Sequence, residues 1–170
     1  MGVASPTSPA PAKPVTMRKI AQWIGLALGV ALVDQVSKHW ITTWMEATPL
    51  HRVNDYFDLV LAHNEGAAFS FLADAGGWQR YFFSGIALAA LLFMGMLIHR
   101  HADNRRFCFG LSLIMGGALG NLLDRVRVGT VTDFIQWHVG NHYWPAFNLA
   151  DSAITLGVAV LLWDSLKARK

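Results

Sequence analysis

The chain has 170 residues, 54% of them apolar and 15% charged, with a formal net charge of +3. That is single-domain length, and the composition is too apolar for an ordinary soluble domain. The basic residues fall in short clusters beside apolar runs, not on a stripe interleaved with aromatic rings, which argues for membrane topology and against nucleic-acid binding.

Residues 1–17 are rich in Pro, Ala and Ser and nearly free of bulky apolar side chains, so a disordered tail is expected, with Met17 as an alternative start. Pro6 stands where a myristoylation signal needs Ser or Thr. Residues 20–33 are apolar and follow Lys13, Arg18 and Lys19, as the core of a signal peptide would. The run continues through Asp34 and Lys38 to Trp40 and Trp44 without a small-residue cleavage site, and is read as a retained transmembrane helix over about residues 20–41.

Residues 45–80 mix polar and apolar positions, with short β-like runs at 58–63 and 67–71 around the turn signal Asn64-Glu65-Gly66. A small sheet on the membrane face is expected, closed by Gly76 and Gly77 before Trp78 opens the next span. Residues 81–98 hold no charge and form the second span; 99–106 are a basic connector. Residues 107–123 form the third span, where Gly116 and Gly120, four apart, suit close approach of another helix or of a substrate backbone. The fourth span covers about 145–166, with Pro145 in its first turn and Asp151 about two turns in. Residues 18–170 thus make one integral-membrane domain.

Four spans put both termini on one side. The positive-inside rule assigns that side to the cytoplasm, because Lys13, Arg18 and Lys19, then Arg100, Arg105 and Arg106, then Lys167, Arg169 and Lys170 all fall there. The first outer loop is acidic, with Glu46, Asp55, Asp58, Glu65 and Asp74 against Arg52 and Arg80. Trp40, Trp44, Trp78, Trp137 and Trp144 gather at the outer interface, where amphipathic rings prefer to sit. The single cysteine, Cys108, lies in an apolar run and is read as a packed thiol.

The polar residues that are unusual for a membrane all lie toward the outer side. Asp34 and Lys38 are spaced i, i+4; Asn121, Asp124 and Arg125 end the third span; Asn148 and Asp151 are spaced i, i+3. Asp34 with Lys38, and Asp124 with Arg125, read as structural ion pairs or interfacial snorkelling. Asp133 and Asp151 differ, since no basic residue lies at helical spacing from either. An ionisable group at membrane depth is a functional candidate by default. Two carboxyls held close cannot both ionise, so they share one proton and supply a base to activate water and an acid to polarise a carbonyl and protonate a leaving amine. Spacing alone is equally compatible with two unrelated polar caps. His138 and His142 are four apart, but no Glu completes His-Glu-x-x-His and both sit in an aromatic surface loop, so no metal is expected. Ser37 and Lys38 are helical neighbours roughly 100° apart and cannot form a dyad.

The blocks Asp34-Gln-Val-Ser-Lys38, Asn64-Glu-Gly-Ala-Ala-Phe-Ser70, Gly116-Gly-Ala-Leu-Gly-Asn-Leu-Leu-Asp-Arg125, Val131-Thr-Asp-Phe-Ile135 and Phe147-Asn-Leu-Ala-Asp-Ser152, in this order over residues 20–166, resemble bacterial lipoprotein signal peptidase, signal peptidase II. The resemblance implies a membrane α-helical fold, a four-transmembrane-helix bundle with a small extracytoplasmic β-cradle and a short periplasmic helix. It implies a cofactor-free aspartic peptidase of the bacterial inner membrane that removes the signal peptide from diacylglyceryl-modified prolipoproteins, cutting before the lipidated cysteine. Asp133 and Asp151 match the family's catalytic dyad; Asp34, Lys38, Asn64, Gly66, Asn121, Asp124, Arg125 and Asn148 match supporting or substrate-contacting positions. Glu65 stands where other residues also occur. The expected partners are lipidated precursors and membrane lipids, and the protein is expected to be a monomer with its active site facing the periplasm. The alternative is a proton- or ion-coupled transporter built on intramembrane carboxylates. Apart from Asp164 at the cytoplasmic end of the fourth, the inner halves of the four spans carry no charge, which leaves such a transporter without a conducting path.

Overall fold

The computed structural model describes residues 17–66 and 78–168. The expected tail up to residue 16, the β-like run at 67–71 and the Gly76-Gly77 closure lie outside the described residues; Met17 begins the first helix. Four helices, α1 (Met17–Met45), α2 (Trp78–His101), α3 (Arg105–Arg127) and α4 (Leu149–Ala168), are each long and apolar enough to cross a membrane. All four described helices are of this kind, so the short periplasmic helix is not among the described residues.

The first three helices overrun the apolar segments by a few residues at both ends. Hydropathy marks only the hydrocarbon core, whereas backbone hydrogen bonding continues into the interface. Only residues 102–104 remain between α2 and α3, and Asn104 caps α3 by accepting from the Phe107 N–H. Gly129, at φ +94°, ends α3 by donating to the Asp124 and Arg125 carbonyls.

The start of α4 departs from expectation. Pro145 precedes the helix, because Phe147 lies antiparallel to Ile135 and exchanges backbone hydrogen bonds with it (2.9 and 3.0 Å). Helix begins only at Leu149, with Asn148 as its cap, and Asp151 therefore stands in the first turn instead of two turns in.

A four-stranded antiparallel sheet in the order β1 (Leu50–Asn54), β2 (Phe57–Asn64), β3 (Val131–Val139), β4 (His142–Tyr143) covers one end of the bundle. The 58–63 run is thus confirmed as strand, while the segment after Ile135, read as an aromatic loop, is the end of β3, a two-residue turn and β4. Ile41, Met45 and Phe134 pack beneath the sheet with Leu59, Ile135 and Leu149. A second apolar cluster, Met94, Ile98, Cys108 and Leu111, packs with Ile20 and Trp23 from α1.

Helix α3 is the central element. It packs on α1, α2 and α4, and 56% of its apolar window is buried, against 11–17% for the other three. Small residues allow this. A β-carbon at Gly116 would meet the Ala27 carbonyl and Val30 of α1, one at Gly117 would strike the Ala150 carbonyl of α4, and Gly110 and Gly157 face each other between α3 and α4.

Candidate active site

The site forms where the sheet meets the outer ends of α1, α3 and the N-terminus of α4. On β3, alternation puts Asp133 on the buried face with Val131. Ala62 of β2 pairs with Asp133, so Asn64, two residues along, is its diagonal neighbour, and Asn64 Nδ2 donates to Asp133 Oδ2 at 3.0 Å. Gly66 holds the Asn64 side chain in turn, its N–H donating to Asn64 Oδ1 at 2.8 Å. Its φ of +93° and the closeness of Phe83 to any added β-carbon both require glycine there.

Asn148 joins the two carboxylates. Its Nδ2 lies 2.7 Å from Asp133 Oδ1, while its Oδ1 accepts from the Asp151 N–H at 2.9 Å and its own N–H reaches Asp151 Oδ2 at 3.3 Å. The exchange with Asp151 is a reciprocal helix cap, so the carboxylate sits in the first turn, where the helix dipole favours negative charge. The Phe147–Ile135 pairing is what sets Asn148 beside β3. Asp133 is 2% exposed. Burial pushes its carboxyl up to about 6; hydrogen bonds from Asn64 and Asn148 pull against this, and the nearby Asp151 charge adds to it.

Behind the pair lies a buried ionic network. Lys38 Nζ reaches Asp34 Oδ2, Asp124 Oδ2 and Asn121 Oδ1, each at 2.8 Å. Asn121 then donates from Nδ2 to Asp151 Oδ1 at 2.8 Å. Asp34 also receives the Ala150 N–H at 2.9 Å, so a side chain of α1 satisfies an open donor at the start of α4. Gly120 of α3 gives Asp34 its room, since a β-carbon there would lie 2.5 Å from the carboxylate.

The Asp34–Lys38 pair is present as expected. The expected Asp124–Arg125 pair is not: Asp124 pairs with Lys38, and Arg125 stacks over Phe83 at 5.4 Å and reaches the Asn121 carbonyl at 3.5 Å. Adjacent helical residues diverge too far to pair. The two histidines are also corrected. His138 pairs across the hairpin with Tyr143 and His142 with Val139, so they occupy opposite faces; His138 is buried with Asp58 (3.4 Å) and His142 is exposed.

Two contributors escaped the sequence reading. Gln35 Nε2 donates to Asp124 Oδ1 at 2.7 Å and to the Gly120 carbonyl at 3.1 Å, and Thr132 supplies its N–H to Asp124 (3.2 Å) and its carbonyl to Asn148 (3.2 Å). Gln35 and Thr132 stand beside Asp34 and Asp133 in sequence, which was the available signal.

Comparison with known proteins agrees with this architecture. The sequence profile of the family described as Signal peptidase (SPase) II matches residues 26–167. Among curated relatives, a lipoprotein signal peptidase of Paraburkholderia phymatum is 49% identical over 148 residues, covering 87% of this chain and 89% of its own. One of Cupriavidus taiwanensis is 51% identical over 148 residues, covering 85% and 82%. A solved structure described as a bacterial membrane enzyme superposes with a TM-score of 0.76 at 32% identity, over 89% of this chain and 91% of that one.

Proposed function

This chain belongs to the signal peptidase II family of bacterial membrane peptidases, and we propose that it cleaves the signal peptide from diacylglyceryl-modified prolipoproteins, before the lipidated cysteine, with Asp133 and Asp151 as an aspartic dyad. The observation that carries this reading is Asn148, which donates from its side chain to the Asp133 carboxylate and from its backbone N–H to the Asp151 carboxylate and so holds two otherwise repelling groups in one site.

The two aspartates then take different parts. Asp133, whose buried carboxyl holds its proton to about pH 6, polarises the scissile carbonyl and gives its proton toward the departing amine. Asp151, at the positive end of α4 with Asn121 and Asn148 as donors, takes a proton from the attacking water. Asn64, Gly66, Asn121 and Asn148 fix the two carboxylates; Asp34, Lys38 and Asp124 brace the helices that carry them. Arg125, which makes no ion pair among the described residues, is available to a substrate carbonyl. No cofactor is needed for this chemistry. The monomeric protein meets its substrates within the inner membrane, with both termini cytoplasmic and the sheet at the periplasmic surface.

The transporter alternative loses ground to the family assignment, and the network bracing α1, α3 and α4 supports a fixed site over a moving relay. Asp133→Asn and Asp151→Asn should each abolish cleavage of a lipidated precursor by the purified protein while precursor binding persists, and the double variant should lose no more than either alone. Near wild-type turnover in either single variant would remove the dyad.

A further inference from the structure

A groove of about 680 Å³ runs from the Trp144-Pro145-Ala146 segment past Asp151 and down α4, where Ser152, Thr155, Leu156 and Ala159 wall it. Asp151, Thr155 and Ala159 are spaced by four, so the wall follows one helix face for about 12 Å below the carboxylate. Thr155, Leu156 and Ala159 are exposed, which leaves the groove open sideways along a span. The hydroxyls on this wall are already engaged: Ser152 Oγ donates to the Asn148 carbonyl (3.0 Å) and Thr155 Oγ1 to the Asp151 carbonyl (2.8 Å). Below Asp151 these residues present methyl and methylene surface and offer no side-chain donor to a peptide carbonyl. An extended hydrocarbon chain, which has no polar group to satisfy along its length, suits such a wall.

We propose that this groove seats one acyl chain of the diacylglyceryl group on the substrate cysteine, with Ala159 at the depth where a long chain passes. The proposal rests on the peptidase reading above. A chain anchored there would enter sideways from the bilayer and hold the cysteine level with Asp151, so that lipid burial fixes the position of the scissile bond.

The test uses the full chain and one precursor made with two lipids, a dipalmitoyl and a dibutanoyl glyceryl group, the latter too short to reach Ala159. The readout is the ratio of kcat/KM on the long-chain to that on the short-chain precursor. Ala159→Trp should lower this ratio about tenfold or more, equivalent to withdrawing about two methylenes from the groove. A variant that is partly unfolded loses both activities together and leaves the ratio alone, and Ala159→Leu gives the same comparison with a smaller intrusion. An unchanged ratio overturns the proposal. A loss that instead follows the size of the residue before the scissile bond, at either chain length, gives the groove to the signal peptide and also overturns it. Wild-type protein that cleaves neither precursor would sink the peptidase reading itself, a result distinct from both.

Discussion

At the scale of single residues, the site combines a costly carboxyl with a costly cation. Asp133 holds its proton to about pH 6 in the folded protein against an ordinary value of 3.8. Its contribution to stability is therefore full below about pH 4 and is lost as pH rises through about 6. Asp133→Asn escapes that loss, so the stability difference should move in the variant's favour by on the order of 2–3 kcal/mol between about pH 4 and pH 7.5, read as thermal unfolding in detergent. A difference that stays constant with pH would contradict this. The same titration gives the roles: with Asp133 as the proton donor, kcat/KM falls as pH rises through about 6, whereas a rise over that interval would make Asp133 the base. Lys38, 4% exposed, answers two buried carboxylates at once. Lys38→Met should cost about 3–5 kcal/mol by leaving those charges unpaired, and adding Asp124→Asn should recover part of it. Lys38 with Asp34 was legible in the sequence because one helical turn separates them. Its second partner, Asp124, was not, since that contact joins α1 to α3 across more than eighty residues.

At the scale of elements, hydropathy located the four spans, and what it missed was set by contacts between distant segments. The start of α4 was misread because Pro145 suits a first helical turn, yet the Phe147–Ile135 pairing holds the chain extended for two more residues. The end of β3, past Ile135, was read as loop although Gly140-Asn141 is a hairpin signal, because aromatic residues occupy both faces of the strand and blur the alternation. The same dependence on contacts separates the glycines. A β-carbon on Gly117 runs into the Ala150 carbonyl, where backbone must move, while one on Gly95 of α2 meets nothing within 4 Å. Gly117→Ala should destabilise by about 1–3 kcal/mol and, by displacing the residue next to Asp151, lower turnover as well. Gly95→Ala should stabilise by about 0.5–1 kcal/mol with turnover unchanged. Unfolding temperatures and kcat of the two variants decide; similar behaviour would mean that the α3–α4 contact does not depend on close approach.

At the scale of the whole molecule, the two ends of the bundle differ in charge, and that difference predicts which way the site faces. The end away from the sheet carries Arg100, Arg105 and Lys167 as well as two ion pairs, Lys19–Asp103 at 2.5 Å and Arg106–Asp164 at 3.8 Å. The sheet end carries Asp133, Asp151 and exposed Trp40, Trp44, Trp137 and Trp144, with Trp40 stacked on Trp44. Basic connectors stay cytoplasmic and aromatic rings favour the interface, so the sheet and the candidate dyad should lie at the periplasmic surface. The helix count supports this only as a parity: four spans return the chain to the side it started from, and a reversed protein would satisfy the same parity. Single-cysteine labelling separates the two. Asp103, with a side chain 64% exposed, and Asn141, at the exposed hairpin turn, mark opposite ends, and native Cys108 is fully buried and should stay silent. In intact cells a membrane-impermeant thiol reagent should modify Asn141→Cys and leave Asp103→Cys unmodified until the inner membrane is opened. Labelling of Asp103→Cys from outside would invert the topology and put the dyad in the cytoplasm, while the family assignment, which rests on the sequence match, would stand.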